Sequence, residues 1–300
     1  MEKAVLKQRL RKGSFWENLF VDIFVYASCI FTVVVMLYPF LNVLAVSLND
    51  PFDTMYGGIT IFPRKFTLAT YQMAFQDMTI YRAAGITLGR TVLGTLCSLF
   101  CTCLLGYLLS RKGFILSRFI TVMMLITMYF SAGLIPGYML LKYLGLLNTF
   151  WVYIIPSFFY GFNVIIIRTY MESLPDSLVE SAMLDGAKEF TIFWRIVLPL
   201  AKPAVATVAL FLAVGQWNSW FDTYLYAPKL PTLQYELMKK IASISASSSQ
   251  VKPGQGETVN LTATAVRAVY TVIVTVPIVL VYPFVQKYFV TGMALGSVKS

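Results

Sequence analysis

The sequence predicts an all-α membrane protein with six transmembrane helices, and two observations predict it. Hydrophobic residues make up 58% of the 300 residues and charged residues only 13%, with a mean hydropathy of +0.70. Soluble chains average about 45–50% apolar and about 25% charged residues, so this chain has too little polar surface for water alone. Six mostly apolar stretches also approach the roughly 20 residues that a helix needs to cross a bilayer. A lipid bilayer is therefore the first predicted partner.

The six stretches are predicted to be helices because lipid offers no hydrogen-bonding partner to an open backbone. A barrel would need strands in which apolar and polar residues alternate, and these stretches lack that alternation. Proline within or at the end of a span is expected to bend its helix, as at Pro39, Pro136, Pro156 and Pro277. The predicted spans are residues 20–48, 83–109, 119–136, 149–167, 203–220 and 268–285.

The distribution of Lys and Arg predicts which side of the membrane each connection faces. With the amino terminus inside, the inner segments hold 14 basic residues in 77 positions and the outer segments hold 9 in 93. Both termini are therefore predicted to be cytoplasmic. The expected organisation is an amino-terminal segment at 1–18, a six-helix domain at 19–290 with an inner loop at 168–202 and an outer loop at 221–267, and a carboxyl-terminal tail at 291–300.

Nucleic-acid binding, metal binding and catalysis are not predicted. The net charge is +10, but the basic residues lie in short clusters and form no basic face with interleaved aromatic residues. The sequence contains no histidine, so neither a metal site nor acid–base chemistry is expected, and no cofactor is predicted. The cysteines lie within apolar runs and are expected to serve as small packing residues. They are Cys29, Cys97, Cys101 and Cys103.

Arg90 is the one basic residue that falls inside a predicted span. A charge at the centre of a bilayer costs about 2.5–3.5 kcal/mol on insertion scales. Arg90 lies within two turns of the outer end of its span, so its side chain could snorkel to the interface. Alternatively, it lines a cavity among the helices. The sequence leaves both interpretations open.

The inner loop at 168–202 carries signals for two short helices. Pro175, followed by Asp176 and Ser177, is typical of a helix start. Residues 178–184 suit a short amphipathic helix, and Gly186 permits the left-handed geometry that ends one. A second helical segment is predicted at 190–198. The loop therefore predicts a helix, a glycine turn and a second helix.

Within this loop the sequence resembles a known signature. Glu180-Ser181-Ala182, three residues, Gly186, nine residues, Ile196, one residue and Leu198-Pro199 are similar to the E-A-A-x3-G-x9-I-x-L-P pattern of permeases of binding-protein-dependent ABC importers. The only departure is Ser181 in place of the middle alanine. The stretches ITIFPRKFTLATYQMAF, VGQWNSWFDTYLY and YPFVQKYFVTGMALGSVKS also resemble carbohydrate-uptake permeases of the maltose-transporter type. The GQWNSWF pattern is similar to the branch that is associated with complex oligosaccharides.

The resemblance implies a type I ABC importer permease fold in which the inner loop forms a cytoplasmic coupling helix. In such permeases this helix docks in a cleft of the ATP-hydrolysing subunit. The sequence contains no G-x-x-x-x-G-K-[ST] phosphate loop, so ATP hydrolysis would belong to another polypeptide and this chain would not be an enzyme. The implied partners are a second permease subunit in a heterodimer, two cytoplasmic ATP-hydrolysing subunits and an extracytoplasmic sugar-binding protein. The implied coupling residues are Glu180, Ser181, Ala182, Asp185, Gly186, Ile196, Leu198 and Pro199.

The outer loop and the carboxyl-terminal tail have two interpretations each. The outer loop at 221–267, Ser-rich and Gly-rich around 243–256, resembles a loop that reaches into the cleft of the binding protein, or it is a solvated linker. The tail at 291–300 resembles one that enters the ATPase dimer interface, or it is a disordered terminus.

Sugar contacts are expected from polar and aromatic residues near the outer end of the fifth span, although the partner permease could carry most of them. Trp220 is better explained as part of the interfacial aromatic belt. The alternative function is an ion-coupled secondary transporter, but such proteins usually need ionisable groups near the bilayer midplane, and the span centres carry no acid. The candidate pathway residues are Asn163, Gln216, Trp217, Asn218 and Asp222.

Overall fold

A computed structural model describes residues 2–248, 264–281 and 283. Regular structure in these residues is helical apart from one isolated bridge between Asn49 and Phe66. The α-helices are α1 (Glu2–Ser47), α2 (Ala69–Gln76), α3 (Met78–Ser110), α4 (Ser117–Tyr129), α5 (Leu134–Tyr143), α6 (Gly161–Glu172), α7 (Asp176–Leu184), α8 (Glu189–Ile192), α9 (Leu198–Leu200), α10 (Lys202–Asn218), α11 (Phe221–Tyr226), α12 (Leu233–Ser248) and α13 (Thr264–Val281). Shorter turns of 3-10 helix lie at Asp53–Tyr56, Phe150–Tyr153 and Ile155–Ser157, and a π-helical turn at Phe193–Val197 joins α8 to α9.

The prediction of an all-α membrane protein is confirmed, with up to six spans. Within the part of the chain that the structure describes, three helices are long and apolar enough to cross a bilayer unbroken, namely Leu19–Ser47 within α1, α3 and α13. The other three candidate spans are bent pairs. They are α4 with α5, the turns at 150–157 with α6, and α8–α9 with α10, bent by 120°, 48° and 83°.

Two of the bent pairs contain Pro136 and Pro156, at which bends were expected, and the structure places the breaks at 130–133 and 158–160. The stretch 119–136 is interrupted after Tyr129, and Gly133 takes a φ of +87°, a value that suits glycine because it has no Cβ. The stretch 149–167 begins as two 3-10 turns that contain Pro156, and its α-helix starts only at Gly161. Proline lacks the N–H that a helix interior requires, which accounts for the break.

The predicted outer loop is partly folded. The segment 221–248 contains α11 and α12, and the Thr223 and Thr232 hydroxyls lie 3.1 Å apart. The backbone N–H of Leu233 donates to the buried hydroxyl of Thr87 in α3 at 2.9 Å. The linker interpretation is therefore wrong for this part. Residues 249–263 of the loop and the tail at 291–300 lie outside the described residues.

The described residues divide into two compact units, one formed by those within 1–72 and 247–272 and one by those within 73–246 and 273–300. In the first unit the buried Asn49 organises the loop after α1, because its amide donates to the carboxylate of Asp53 at 3.0 Å and its carbonyl accepts from the N–H of Lys65 at 2.9 Å. Arg64 also pairs with Asp53 at 2.9 Å.

In the second unit, α3 packs against α6 and α10. Two glycines allow the close approach. A Cβ on Gly94 would lie 2.8 Å from Nε2 of Gln216 in α10, and a Cβ on Gly106 would lie 2.7 Å from Cγ2 of Ile167 in α6. Small residues at such positions are typical of membrane helix interfaces. The apolar core beside them includes Cys103, Tyr107, Ile167, Met171, Ala182, Phe193, Val197, Val208 and Leu212.

Candidate functional site

A cavity of about 630 Å³ lies among α3, the turns at 150–157, α6, α10 and α11. Its walls combine aromatic rings with a few polar side chains, as small-molecule sites generally do. The aromatic residues are Tyr153, Tyr160, Phe162, Phe211 and Tyr226. The polar residues are Arg90, Ser157, Asn163, Gln216, Ser219 and Asp222.

Arg90 is buried at the wall of this cavity, with 2% of its surface exposed. Its Nε and Nη2 donate to Oε1 of Gln216 at 3.0 and 2.9 Å. Its Nη1 and Nη2 donate to the two carboxylate oxygens of Asp222 at 3.2 and 2.5 Å. The guanidinium also lies 4.3 Å from the centre of the Tyr153 ring. Arg90 is therefore the cavity-lining residue, and the snorkelling interpretation is wrong.

Gln216 connects this network to the turns at 150–157. Its Nε2 donates to the Ser157 hydroxyl at 2.8 Å and to the carbonyl of Tyr153 at 3.2 Å. Its side chain lies where a Cβ on Gly94 would be, so this glycine leaves room for the amide. Because every polar atom of Gln216 has a partner, the residue is held in one orientation.

Asn163 differs from Gln216 in having no hydrogen-bond partner for its side chain among the residues that the structure describes. Only 6% of its surface is exposed, and it lines the cavity. A buried amide without a protein partner is costly unless another molecule supplies the hydrogen bonds. The amide atoms of Asn163 are not among the fully buried unsatisfied atoms of the described residues, so they reach the cavity and are accessible to a polar ligand or to water.

Two of the predicted pathway residues, Trp217 and Asn218, lie outside the cavity. The Trp217 ring is buried, and its Nε1 donates to the carbonyl of Val274 at 3.0 Å. Asn218 is exposed and accepts a hydrogen bond from Gln234 at 3.0 Å. Neither residue lines the cavity, whereas Asn163, Gln216 and Asp222 do. A helix turns by about 100° per residue, so neighbours in sequence face different directions.

Sequence reasoning missed Tyr153, Ser157, Tyr160 and Ser219 as cavity residues. The first two lie in the 3-10 turns that were predicted as part of a regular span. Pro156 was the available signal, because a break in a membrane helix can leave backbone groups and small side chains facing a cavity.

The second candidate region is α7 and the turn that follows it. Gly186 takes a φ of +78°, as the sequence suggested. The N–H of Ala187 donates to the carbonyl of Ala182 at 2.9 Å, and that of Gly186 donates to Met183 at 3.0 Å. This pair of bonds is the Schellman motif, in which the residue after the helix needs a left-handed conformation. The turn therefore depends on glycine.

Most of the implied coupling residues are at the surface. Glu180, Ser181, Asp185, Gly186 and Pro199 are exposed. Ile196 and Leu198 are partly buried and pack against the apolar core. Ala182 differs from these residues, because only 8% of its surface is exposed and it packs in the core of this chain. Its small side chain packs α7 against the apolar core and does not face outward.

A cleft of about 570 Å³ separates α7 from the end of α3 and the connection at 111–114. Lys112 bridges it through an ion pair of 2.5 Å with Asp176. This hydrogen bond and the attraction between the charges raise the pKa of Lys112 and lower the pKa of the Asp176 carboxyl. Glu189 accepts from the Tyr107 hydroxyl and pairs with Arg111 at 3.5 Å.

Residues 98–295 match the family described as the binding-protein-dependent transport system inner membrane component. The chain is 38% identical over 274 residues to Protein LplC of Bacillus subtilis, covering 88% of this chain and 90% of that protein. It is 34% identical over 286 residues to the polygalacturonan/rhamnogalacturonan transport system permease protein YtcP of the same organism, covering 94% and 99%.

A solved structure has the same fold along most of the chain. It belongs to a bacterial ABC transporter involved in the import of the acidic polysaccharide alginate. The match has a TM-score of 0.79 and 29% identity, and it covers 91% of this chain and 97% of that chain. These matches support the importer interpretation and not the ion-coupled secondary transporter. With its apolar spans and the type I importer fold, this chain belongs to the family of binding-protein-dependent transport system inner membrane components, the membrane permease subunits of ABC importers.

Proposed function

We propose that this permease subunit moves a sugar or oligosaccharide across the bacterial cytoplasmic membrane, and that the cavity beside Arg90 is its part of the sugar pathway. The observation that carries the proposal is the cavity wall, where aromatic rings stand beside hydrogen-bonding groups. Sugars present both apolar C–H faces and hydroxyl groups, so they need both kinds of contact. The relatives named for polysaccharide transport and import support the same substrate class.

The candidate contacts in this cavity are Asn163, Asp222 and Gln216, in decreasing order of free hydrogen-bonding capacity. Asn163 has no partner among the described residues, and Asp222 is partly accessible, with 24% of its side chain exposed. Gln216 is fully engaged with other protein groups. The positions of Trp217 and Asn218 outside the cavity do not support a sugar contact for them.

The energy for transport is proposed to enter through α7. The exposed side chain of Glu180 and the exposed glycine turn after α7 carry the residues that resemble the family signature, and this surface suits docking to a cytoplasmic ATP-hydrolysing subunit. The packing of Ala182 in the core would transmit a push on α7 to the membrane helices. The proposed assembly contains two such ATPase subunits, a second and different permease subunit, and an external sugar-binding protein. The excess of Lys and Arg in the segments on the α7 side supports a cytoplasmic location for α7 and for both termini.

Coupling through α7 is tested with Glu180→Lys in proteoliposomes that contain the whole importer and its binding protein. Truncating one member of a partly desolvated interfacial charge pair costs about 2–5 kcal/mol. Uptake is therefore expected to fall by at least about tenfold, since about 1.4 kcal/mol corresponds to a factor of ten. Sugar uptake and ATP hydrolysis are measured in the same vesicles.

The matched control is Ser177→Ala, an exposed residue on α7 that lies outside the signature and whose change should leave uptake unchanged. The amount of inserted chain must be equal in all variants. Vesicles that contain this chain alone should show no ATP hydrolysis. Normal uptake by Glu180→Lys would contradict the coupling role.

A further inference from the structure

The hydrogen-bonding capacity of Arg90 is fully used inside the protein. An arginine has five N–H donors, and five contacts account for them. Nε bonds Gln216, Nη1 bonds the Ser219 carbonyl and Asp222, and Nη2 bonds Gln216 and Asp222. A ligand that approached Arg90 would have to displace one of these partners from a buried site.

The charge of Arg90 is also neutralised. Among the described residues that line the cavity, Arg90 and Asp222 are the only charged ones, and they form an ion pair of 2.5 Å. The carboxylate is the more accessible member, with 24% of its side chain exposed against 2% for Arg90. A second carboxylate in this cavity would therefore meet a negative group before it met the cation. Like charges at short range oppose binding.

The groups with spare capacity suit a neutral ligand. The Asn163 amide can donate two hydrogen bonds and accept at its carbonyl, and the Asp222 carboxylate has lone pairs beyond those that Arg90 and the N–H of Thr223 use. Sugar hydroxyls can donate to the carboxylate and can either donate to or accept from the amide. An uncharged, hydroxyl-bearing ring satisfies both residues without disturbing the ion pair.

We infer that the part of the pathway built by this chain binds an uncharged sugar unit through Asn163 and Asp222, and that Arg90 is a positioning residue and not a ligand for a substrate carboxylate. This inference rests on the proposed function. Similarity to the alginate importer alone would suggest a different assignment, in which the buried Arg90 of this chain binds an acidic sugar.

The test uses two probes with the same sugar chain, a pentasaccharide of galacturonic acid and its fully methyl-esterified form, in which each charged carboxylate is replaced by a neutral methyl ester. Binding of each is measured by equilibrium dialysis to the assembled importer in nanodiscs, without the external binding protein. The ester is expected to bind about tenfold more tightly than the acid. Asp222→Asn should reverse this preference, because it leaves the charge of Arg90 without its counter-ion.

Arg90→Gln separates positioning from direct binding. If Arg90 positions Asp222 and Gln216, the variant weakens the neutral ester as well as the acid, and the double variant Arg90→Gln/Asp222→Asn binds the ester better than Arg90→Gln does. If Arg90 held a substrate carboxylate, only the acid would be weakened and the double variant would show no recovery.

Asn163→Ala keeps the inference testable should Arg90→Gln fail to assemble, because it removes a side chain that has no protein partner to lose. It is expected to weaken the ester about fivefold, as the loss of one net hydrogen bond does. Tighter binding of the acid by the unaltered importer would overturn the inference and leave the proposed sugar transport standing. Binding of neither probe, with no effect of Asn163→Ala on uptake, would contradict both.

Discussion

The packed face of α3 and the exposed turn after α7 both depend on a glycine, but for different physical reasons. Gly106 in α3 has no room, because a Cβ there would lie 2.7 Å from Cγ2 and 3.1 Å from Cβ of Ile167. Gly186 has open space around it, with no atom within 4 Å of an added Cβ, but its φ of +78° is one that other residues rarely adopt. The first glycine serves tertiary packing and the second serves local backbone geometry.

The ion pairs of the two regions also differ, because one is largely buried and the other is exposed. The Arg90–Asp222 pair is buried on the arginine side, and removing one member of a buried pair typically costs about 3–5 kcal/mol. The Lys112–Asp176 pair has side chains that are 85% and 59% exposed, where such a pair contributes little. The cavity region should therefore govern stability and ligand binding, while the α7 region should tolerate change except at its surface and its turn.

The largest effect is expected from Gly106→Leu. Even a methyl group at this position would overlap Ile167, and overpacking typically costs about 1–3 kcal/mol. We expect the thermal unfolding temperature of the purified chain in detergent to fall clearly. Gly85→Leu is the matched control, since Gly85 lies on the same helix, is exposed and has no atom within 4 Å of an added Cβ. Equal unfolding temperatures for the two variants would refute the close contact between α3 and α6.

A smaller effect is expected from Gly186→Ala, which adds a Cβ to a residue with positive φ. The left-handed conformation costs an ordinary L-residue about 1–2 kcal/mol. Protection of the α7 amides from hydrogen exchange should fall by about fivefold to thirtyfold, since each 1.4 kcal/mol is a factor of ten.

Gly186→Asn is the control for backbone geometry, because asparagine tolerates this region better than alanine. It should lose less protection. If alanine and asparagine behaved alike, the constraint at this turn would lie in space or contacts and not in φ.

The smallest effect is expected from the pH dependence of the Lys112–Asp176 pair. Because the pKa of Asp176 is lowered from 3.8, its contribution is present above that value and is lost as pH falls through the lowered pKa. Because the pKa of Lys112 is raised from 10.5, its contribution is present below that value and is lost as pH rises through the raised pKa. The difference in α7 amide protection between the unaltered chain and Asp176→Asn should thus be constant from about pH 5 to 9 and vanish in stronger acid. A difference that varied within that plateau would show that other groups hold α7.

The features that sequence reasoning predicted correctly are those that local chemistry decides. Long apolar stretches predict spans because lipid imposes length and polarity on each stretch separately. The helix at 176–184 and its glycine turn follow from a few neighbouring residues, and so does the signature that begins at Glu180.

Tertiary structure alone decided which residues meet. Arg90 bonds to residues 126 and 132 positions away, and no local pattern distinguishes that arrangement from a snorkelling side chain. The inward packing of Ala182 and the folded segment at 221–248 likewise depend on packing between distant segments. The sequence by itself therefore determined the membrane class, the family signature and the α7 turn. Only the packing of helices decided the cavity and its ion pair, because a buried charge is stable only where partners from several helices converge.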